Sequence, residues 1–147
     1  MSLDPDIQSI EPRGWAAPKG YSNGVLARGG GGTLYTAGQI AWDAQQKLVG
    51  RGDFAAQFRQ ALLNVRTVVE AAGGRAQHLV RLTIYVTDKR LYLGALKDVG
   101  AAYRDVLGKH FPAMALLEVA GLLEDGALVE IEGTAVLPAN AMTARDQ

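Results

Sequence analysis

The chain has no cysteine and only two histidines in 147 residues. The missing thiols remove disulfides, thiolate nucleophiles and cysteine metal ligands together, and suit a reducing compartment. Neither His78 nor His110 has a second histidine or a carboxylate at ligand spacing, so no metal site is expected. An excess of one charge sign is also absent. The fifteen basic and fifteen acidic side chains cancel and are scattered, which leaves no electrostatic footprint for nucleic acid or an anionic membrane. No stretch approaches the roughly 18 consecutive apolar residues of a membrane span, and the first residues show no basic-then-apolar signal pattern. The expected location is the cytoplasm. No serine or threonine sits in a nucleophile-elbow setting, so a hydrolase triad is not expected either.

What is present is apolar material in periodic order. With 48% hydrophobic residues the chain can bury one core, and the expected organisation is an irregular, proline-bearing arm over residues 1–17, a single domain over 18–137 and an aperiodic tail over 138–147. Two short strands, Val25 to Arg28 and Thr33 to Ala37, flank the glycine run Gly29 to Gly32, which reads as a hairpin-like turn. Phe54, Phe58, Ala61, Leu62, Val65, Val68, Val69 and Ala72 recur at spacings of three and four. With Asp53 as N-cap and Gly73-Gly74 as the stop, they predict a two-faced helix. Val80, Leu82, Ile84 and Val86 alternate with Arg81, Thr83 and Tyr85 as in a half-covered strand. A second helix is expected on the stripe Leu93, Leu96, Val99, Tyr103, Val106 and Leu107, ending at Gly108. Two more strands follow Pro112, Ala115 to Ala120 and Leu128 to Leu137, linked by the turn Glu124-Asp125-Gly126. The order predicts an α+β fold, two helices packed on one face of a single mixed sheet. The strands also carry apolar residues on their other side, so a homo-oligomer is expected to cover it.

Chemistry has few candidates. The glycine run lacks the lysine and the strand-to-helix setting of a phosphate cradle, so a turn is the simpler reading. Trp15 and Trp42, with no basic stripe around them, suit packing or an interface. The carboxylates stand out more. Glu130 and Glu132 share one side of a strand whose other side carries Val129, Ile131, Gly133 and Ala135, and Glu118 lies in the strand before. Buried in part, they need solvent, a partner or a ligand. The plainer account is a polar outer face with Arg81 or Lys97 as neighbours.

Six segments, taken together and in order, resemble the reactive-intermediate deaminases (Rid, or YjgF, family, some members of which bear the older label L-PSP endoribonuclease). They are "PKGYSNGV", "LYTAGQIAWD", "LVGRGDFAAQFRQALLNVRTVVEAAGG", "LVRLTIYVTD", "FPAM…LEVAGL" and "ALVEIEGTAV", spanning residues 18–137. Each is weak alone; the ordered set is specific. The resemblance implies a chorismate mutase-like α+β fold and a homotrimer with small-molecule clefts between subunits. It also implies hydrolysis of 2-imino or enamine acids to 2-oxo acids and ammonia, without metal or cofactor. Tyr21 matches the tyrosine of the "GPYS"-like motif, Gly38 the glycine of "SGQ", and Glu130 the first glutamate of "EIE". The implied roles are water positioning by Glu130, pocket closure by Tyr21, and ligand contact at Gly38, Met114, Ala115 and Leu116.

One position departs from the pattern. Active deaminases carry arginine in "PAR" to grip the substrate carboxylate, and this chain has Met114 in "PAM". Methionine cannot fork onto a carboxylate, so the departure argues against the standard 2-imino acid activity and for a ligand less anionic or more apolar than an amino-acid-derived imine. Arg28, Arg81 and Arg90 are other cations the sequence offers. The inter-helix region is also longer than the common family version. Two readings follow: a hydrolase of small imines or enamines, and a trimer that binds a small ligand without turnover. An endoribonuclease ranks third, because the net charge of zero gives RNA nothing to bind.

Overall fold

The computed structural model describes residues 2–142. A two-stranded ribbon pairs β1 (Asp6–Ile10) with β2 (Gly24–Arg28), antiparallel. The main sheet contains β3 (Thr33–Tyr35), β4 (Leu79–Val86), β5 (Ala113–Glu118) and β6 (Val129–Val136) in the order β3-β6-β4-β5. β4 and β5 run parallel and the other pairs antiparallel, so the sheet is mixed. α1 (Phe54–Ala71) precedes β4; α2 (Lys89–Leu93) and α3 (Leu96–Leu107) form the crossover from β4 to β5.

Local chemistry explains most of these boundaries. The Asp53 carboxylate accepts from the Ala56 backbone N–H at 3.1 Å and starts α1, satisfying one of the free donors of the first turn. Past the C-cap Ala72, Gly73 takes φ +87°, a conformation that ends helices at low cost only with glycine. Alternating burial along β4 and β6 sends Leu82, Ile84, Val86, Val129 and Ile131 into one core with Phe58, Leu62, Val65, Val99 and Tyr103 of the helices. Their alternate neighbours, Thr83, Tyr85, Glu130 and Glu132, face the opposite side of the sheet.

Three expectations need correction. The arm over residues 1–17 is not irregular throughout, because Asp6–Ile10 is a strand. Its residues are almost all exposed, so no apolar alternation marks it, and its partner lies more than ten residues downstream. The glycine run does not close a hairpin between β2 and β3. It carries the chain from one sheet to the other, with the Gly31 N–H donating to the Leu137 carbonyl at 2.7 Å. At Gly30, φ is +75° and a Cβ would lie 2.7 Å from the same carbonyl, so the close approach requires glycine. The second helix is two helices, broken at Gly94-Ala95, where Ala95 leaves helical geometry with ψ 19°. β5 and β6, consecutive in the chain, are separated in the sheet by β4. In the tail, Ala141 packs against the core, and residues 143–147 lie outside those described.

Candidate functional site

The site is built around an irregularity in the β3–β6 pairing. Tyr35 faces Thr134, and the next bridge joins Gln39 to Ile131. Thr36, Ala37 and Gly38 therefore oppose only Gly133 and Glu132, a bulge that swings Gly38 toward Glu130. The bulge is pinned at both ends. Thr36 N–H donates to the Gly133 carbonyl and Gly133 N–H to Thr36 Oγ1, both at 2.9 Å, while Gln39 and Ile131 exchange backbone bonds at 2.8 and 2.9 Å. The Glu130 carboxylate lies over the bare Cα of Gly38, where a Cβ would come within 2.9 Å of its Cδ.

Two amides on α1, one buried and one half-buried, hold this frame. Gln57, fully buried, donates from Nε2 to the Gly50 and Gly126 carbonyls and accepts at Oε1 from Leu128 N–H. It thus fixes the entry to β6 immediately before Glu130. Asn64 donates from Nδ2 to the carbonyls of Ile40 and Trp42 at 3.0 and 2.9 Å, and so fixes the wall beyond Gly38. Neither was expected from the sequence, although each is a polar residue three positions after an apolar one of the helix stripe, Phe54 and Ala61.

The three strand carboxylates are not equivalent. Glu132 accepts from the Tyr85 hydroxyl at 2.7 Å, and that bond holds the Tyr85 phenol above its ordinary pKa. Glu118 accepts from Lys89 N–H at 2.9 Å. Glu130, half-buried, makes no hydrogen bond or ion pair among the described residues. Arg81 and Lys97 pair with none of the three. Beside Glu130 a hollow of about 100 Å³ is lined by Gly38, Ile40, Trp42, Leu123 and Glu124.

Met114 belongs to a different place. It pairs in register with buried Leu82 and packs against the core, as Leu116 does; Ala115 pairs with Thr83 and faces the opposite side. The three residues expected to line one ligand site are therefore split. Met114 lines a cavity of about 260 Å³ together with Gly20, Phe58, Ile84, Tyr92, Val99, Tyr103, Arg104 and Phe111; Ala115 and Leu116 do not line it. Tyr21 is exposed and stands at this end of the molecule. Its neighbour Ser22 bridges Ala113, donates its N–H to the Pro112 carbonyl at 3.1 Å and its hydroxyl to the Phe111 carbonyl at 2.6 Å. Within one chain, then, Gly38 lies against Glu130 on one side of the sheet, and Met114 faces the core on the other. Arg28 and Arg90 pair with Asp6 and Asp88, and neither Arg28, Arg81 nor Arg90 lines the Met114 cavity. Among the described residues no three His, Cys, Asp or Glu side chains gather where they could hold a metal, and no helix is long and apolar enough to cross a membrane.

A family profile described as Endoribonuclease L-PSP matches residues 13–137. The crystal structure of a protein of the Rid family, YyfB of Yersinia pestis, superposes with a TM-score of 0.79 at 33% identity, over 89% of this chain and 98% of that one. This chain belongs to the Rid/YjgF family. Another Rid/YjgF structure, the YjgF product of E. coli, gives a TM-score of 0.61 at 34% identity, covering 88% and 98% of the two chains. In sequence, a RutC family protein of Synechocystis is 36% identical over 128 residues, 83% of this chain and 90% of that protein. A 2-iminobutanoate/2-iminopropanoate deaminase of Salmonella typhimurium is 38% identical over 109 residues, 72% and 80% of the respective lengths. The α+β fold with a mixed sheet is thus the Rid/YjgF fold, and some relatives bear the names of imine deaminases.

Proposed function

We propose that this protein is a Rid/YjgF-type hydrolase of small imines or enamines, acting as a cytoplasmic homotrimer with each ligand site between two copies. One observation carries the reading: Glu130 alone of the three strand carboxylates is unengaged, and it is aimed over a glycine that leaves room for a ligand. A carboxylate held half out of water without a donor is costly in a folded protein unless something is meant to meet it. A water molecule answers that need. Glu130 accepts a proton as the water oxygen bonds to the imine carbon. With the imine reacting as its iminium, this step gives a neutral carbinolamine; Glu130 returns its proton to the amine nitrogen, the C–N bond breaks to release ammonia, and the hydroxyl proton passes to Glu130 as the carbonyl forms. The chemistry draws on no redox partner. The relatives named as 2-iminobutanoate/2-iminopropanoate deaminases support the reaction class.

The split between Glu130 and Met114 supports the shared cleft. A ligand bound at Glu130 of one copy reaches a Met114 only if a second copy presents it, with that copy's Tyr21 closing the space. Met114 in place of an arginine on β5 also favours a second reading, a trimer that binds its ligand without turnover. The assay that separates them uses an L-amino acid oxidase to generate 2-imino acids while semicarbazide competes for the imine. The hydrolase reading expects the protein to suppress semicarbazone formation, most with phenylalanine or leucine as the source. Glu130→Gln is expected to lower that rate by about 100-fold. No effect with any amino acid would remove the enzyme reading, and activity gained by Met114→Arg from such an inactive parent would mark a ligand-binding descendant of the enzyme.

A further inference from the structure

The Met114 cavity contains one charged side chain. Phe58, Ile84, Val99, Tyr103, Phe111 and Met114 make up much of its apolar wall, with Tyr92 and Leu96 beside them, and Arg104 of α3 is the charged residue among its lining. Of the two tyrosines in the lining, Tyr103 has its hydroxyl committed: it donates to the His110 carbonyl at 2.6 Å, while its ring stacks on Phe111 with centroids 5.4 Å apart and planes 5° from parallel. Burial holds that phenol well above its ordinary pKa, so it stays neutral. Arg104 is exposed where the cavity meets solvent, and its guanidinium makes no ion pair or hydrogen bond among the described residues. Even the adjacent carboxylate is occupied, since Asp105 holds Arg59 at 2.8 Å.

The direction of the side chain is fixed by what Gly100 lacks. A Cβ at Gly100 would lie 3.3 Å from Arg104 Nη1, so the guanidinium folds back one turn along α3 and lies over bare backbone. Gly100 lines the same cavity. An unpaired planar cation at the edge of an apolar hollow is met by a ligand with an anionic group and an apolar body; a carboxylate satisfies the guanidinium fork with two parallel bonds.

We propose that Arg104 is the anion-binding residue of this cavity, and that the ligand is a 2-imino or 2-oxo acid with an aromatic or large branched side chain. This rests on the Rid-type reading for the imine and deepens it by naming the acid's class. The rings of Tyr103 and Phe111 and the thioether of Met114 receive the apolar body. The sequence-level expectation of a more apolar ligand is kept, while the expectation of a less anionic one is replaced: the cation is present, but on a helix instead of on β5.

The test uses phenylpyruvate, the carbonyl product such a reaction would release, and phenylacetone, the same skeleton without the carboxylate. Titrations follow heat and the Met114 methyl resonance of protein labelled at the methionine methyls. Phenylpyruvate is expected to shift that resonance and to bind Arg104→Gln at least about tenfold more weakly, a factor typical of one lost charged contact. Phenylacetone, bound weakly, is expected to be indifferent to the substitution, and Arg104→Lys to recover part of the loss. Equal phenylpyruvate affinity in Arg104→Gln, or no shift of the Met114 methyl at millimolar ligand, overturns the assignment. Either result leaves the Glu130 reading standing, because that is judged by turnover: Glu130→Gln is expected to keep phenylpyruvate binding while losing imine hydrolysis.

Discussion

Among the residues of β5 and β6, identity matters less than what each side chain has left to give. Glu132 and Glu118 are acceptors already in use, whereas Glu130 has both oxygens available over Gly38. Gly38→Ala tests this directly. Gly38 has no positive φ, and the atoms its Cβ would meet are the far end of the flexible Glu130 side chain, so the backbone accommodates alanine while the carboxylate is pushed aside. The expected outcome is a melting temperature within a few degrees of the parent, about 2 to 4 °C. Imine hydrolysis is expected to fall by about tenfold or more, since displacing a catalytic group by about 1 Å costs up to about 100-fold. A rate equal to the parent's in a folded Gly38→Ala protein would separate Gly38 from the reaction. Glu130 was legible in the sequence because alternation in "ALVEIEGTAV" sets two carboxylates against an apolar side. Arg104 was not: one residue past Tyr103 on an amphipathic helix, an arginine looks like any solvated charge until α3 closes over Met114.

At the level of elements, the site depends on amides within the apolar stripe of α1. Gln57 satisfies two carbonyls and one N–H that belong to separate loops, and so couples the turn at Gly50, the turn at Gly126 and the start of β6. Gln57→Leu keeps the volume and strands all three partners. With about 1 to 3 kcal/mol for a buried group left unpaired, urea denaturation is expected to show a loss of about 2 to 3 kcal/mol or more; a loss below about 0.5 kcal/mol would mean the loops find water instead. The helix itself was readable from spacing, cap and glycine stop. What spacing does not show is pairing between distant segments. β1 carries no periodic signal and exists because β2 is there to receive it. Likewise β2 and β3, adjacent in sequence across four glycines, belong to different sheets, and nothing local distinguishes a glycine turn within a sheet from a glycine passage between two.

The molecule as a whole leaves one side of its sheet uncovered. Tyr35 is 76% and Leu117 45% exposed, on the side shared with Thr83, Tyr85, Glu130 and Glu132. That imbalance was visible in the sequence as apolar residues in excess of what two helices cover. Less visible was the split of Met114 and Ala115 between the two sides of β5, which is settled only once the register with β4 is known.

The sheet that separates Glu130 from Met114 has a genetic consequence. If each cleft takes Glu130 from one copy and the Met114–Arg104 cavity from the next, a chain altered at Glu130 fails in turnover and a chain altered at Arg104 in binding, and the two can complement one another. Mixed after dissociation and reassembly, Glu130→Gln and Arg104→Gln proteins are expected to regain measurable imine hydrolysis, through those clefts that draw both intact halves from opposite partners. The mixture's rate against that of either variant alone checks this. No recovery in verified mixed assemblies would mean that each chain completes its own site. Two alleles that each impair function would thus sustain more of it together in one cell than either does alone.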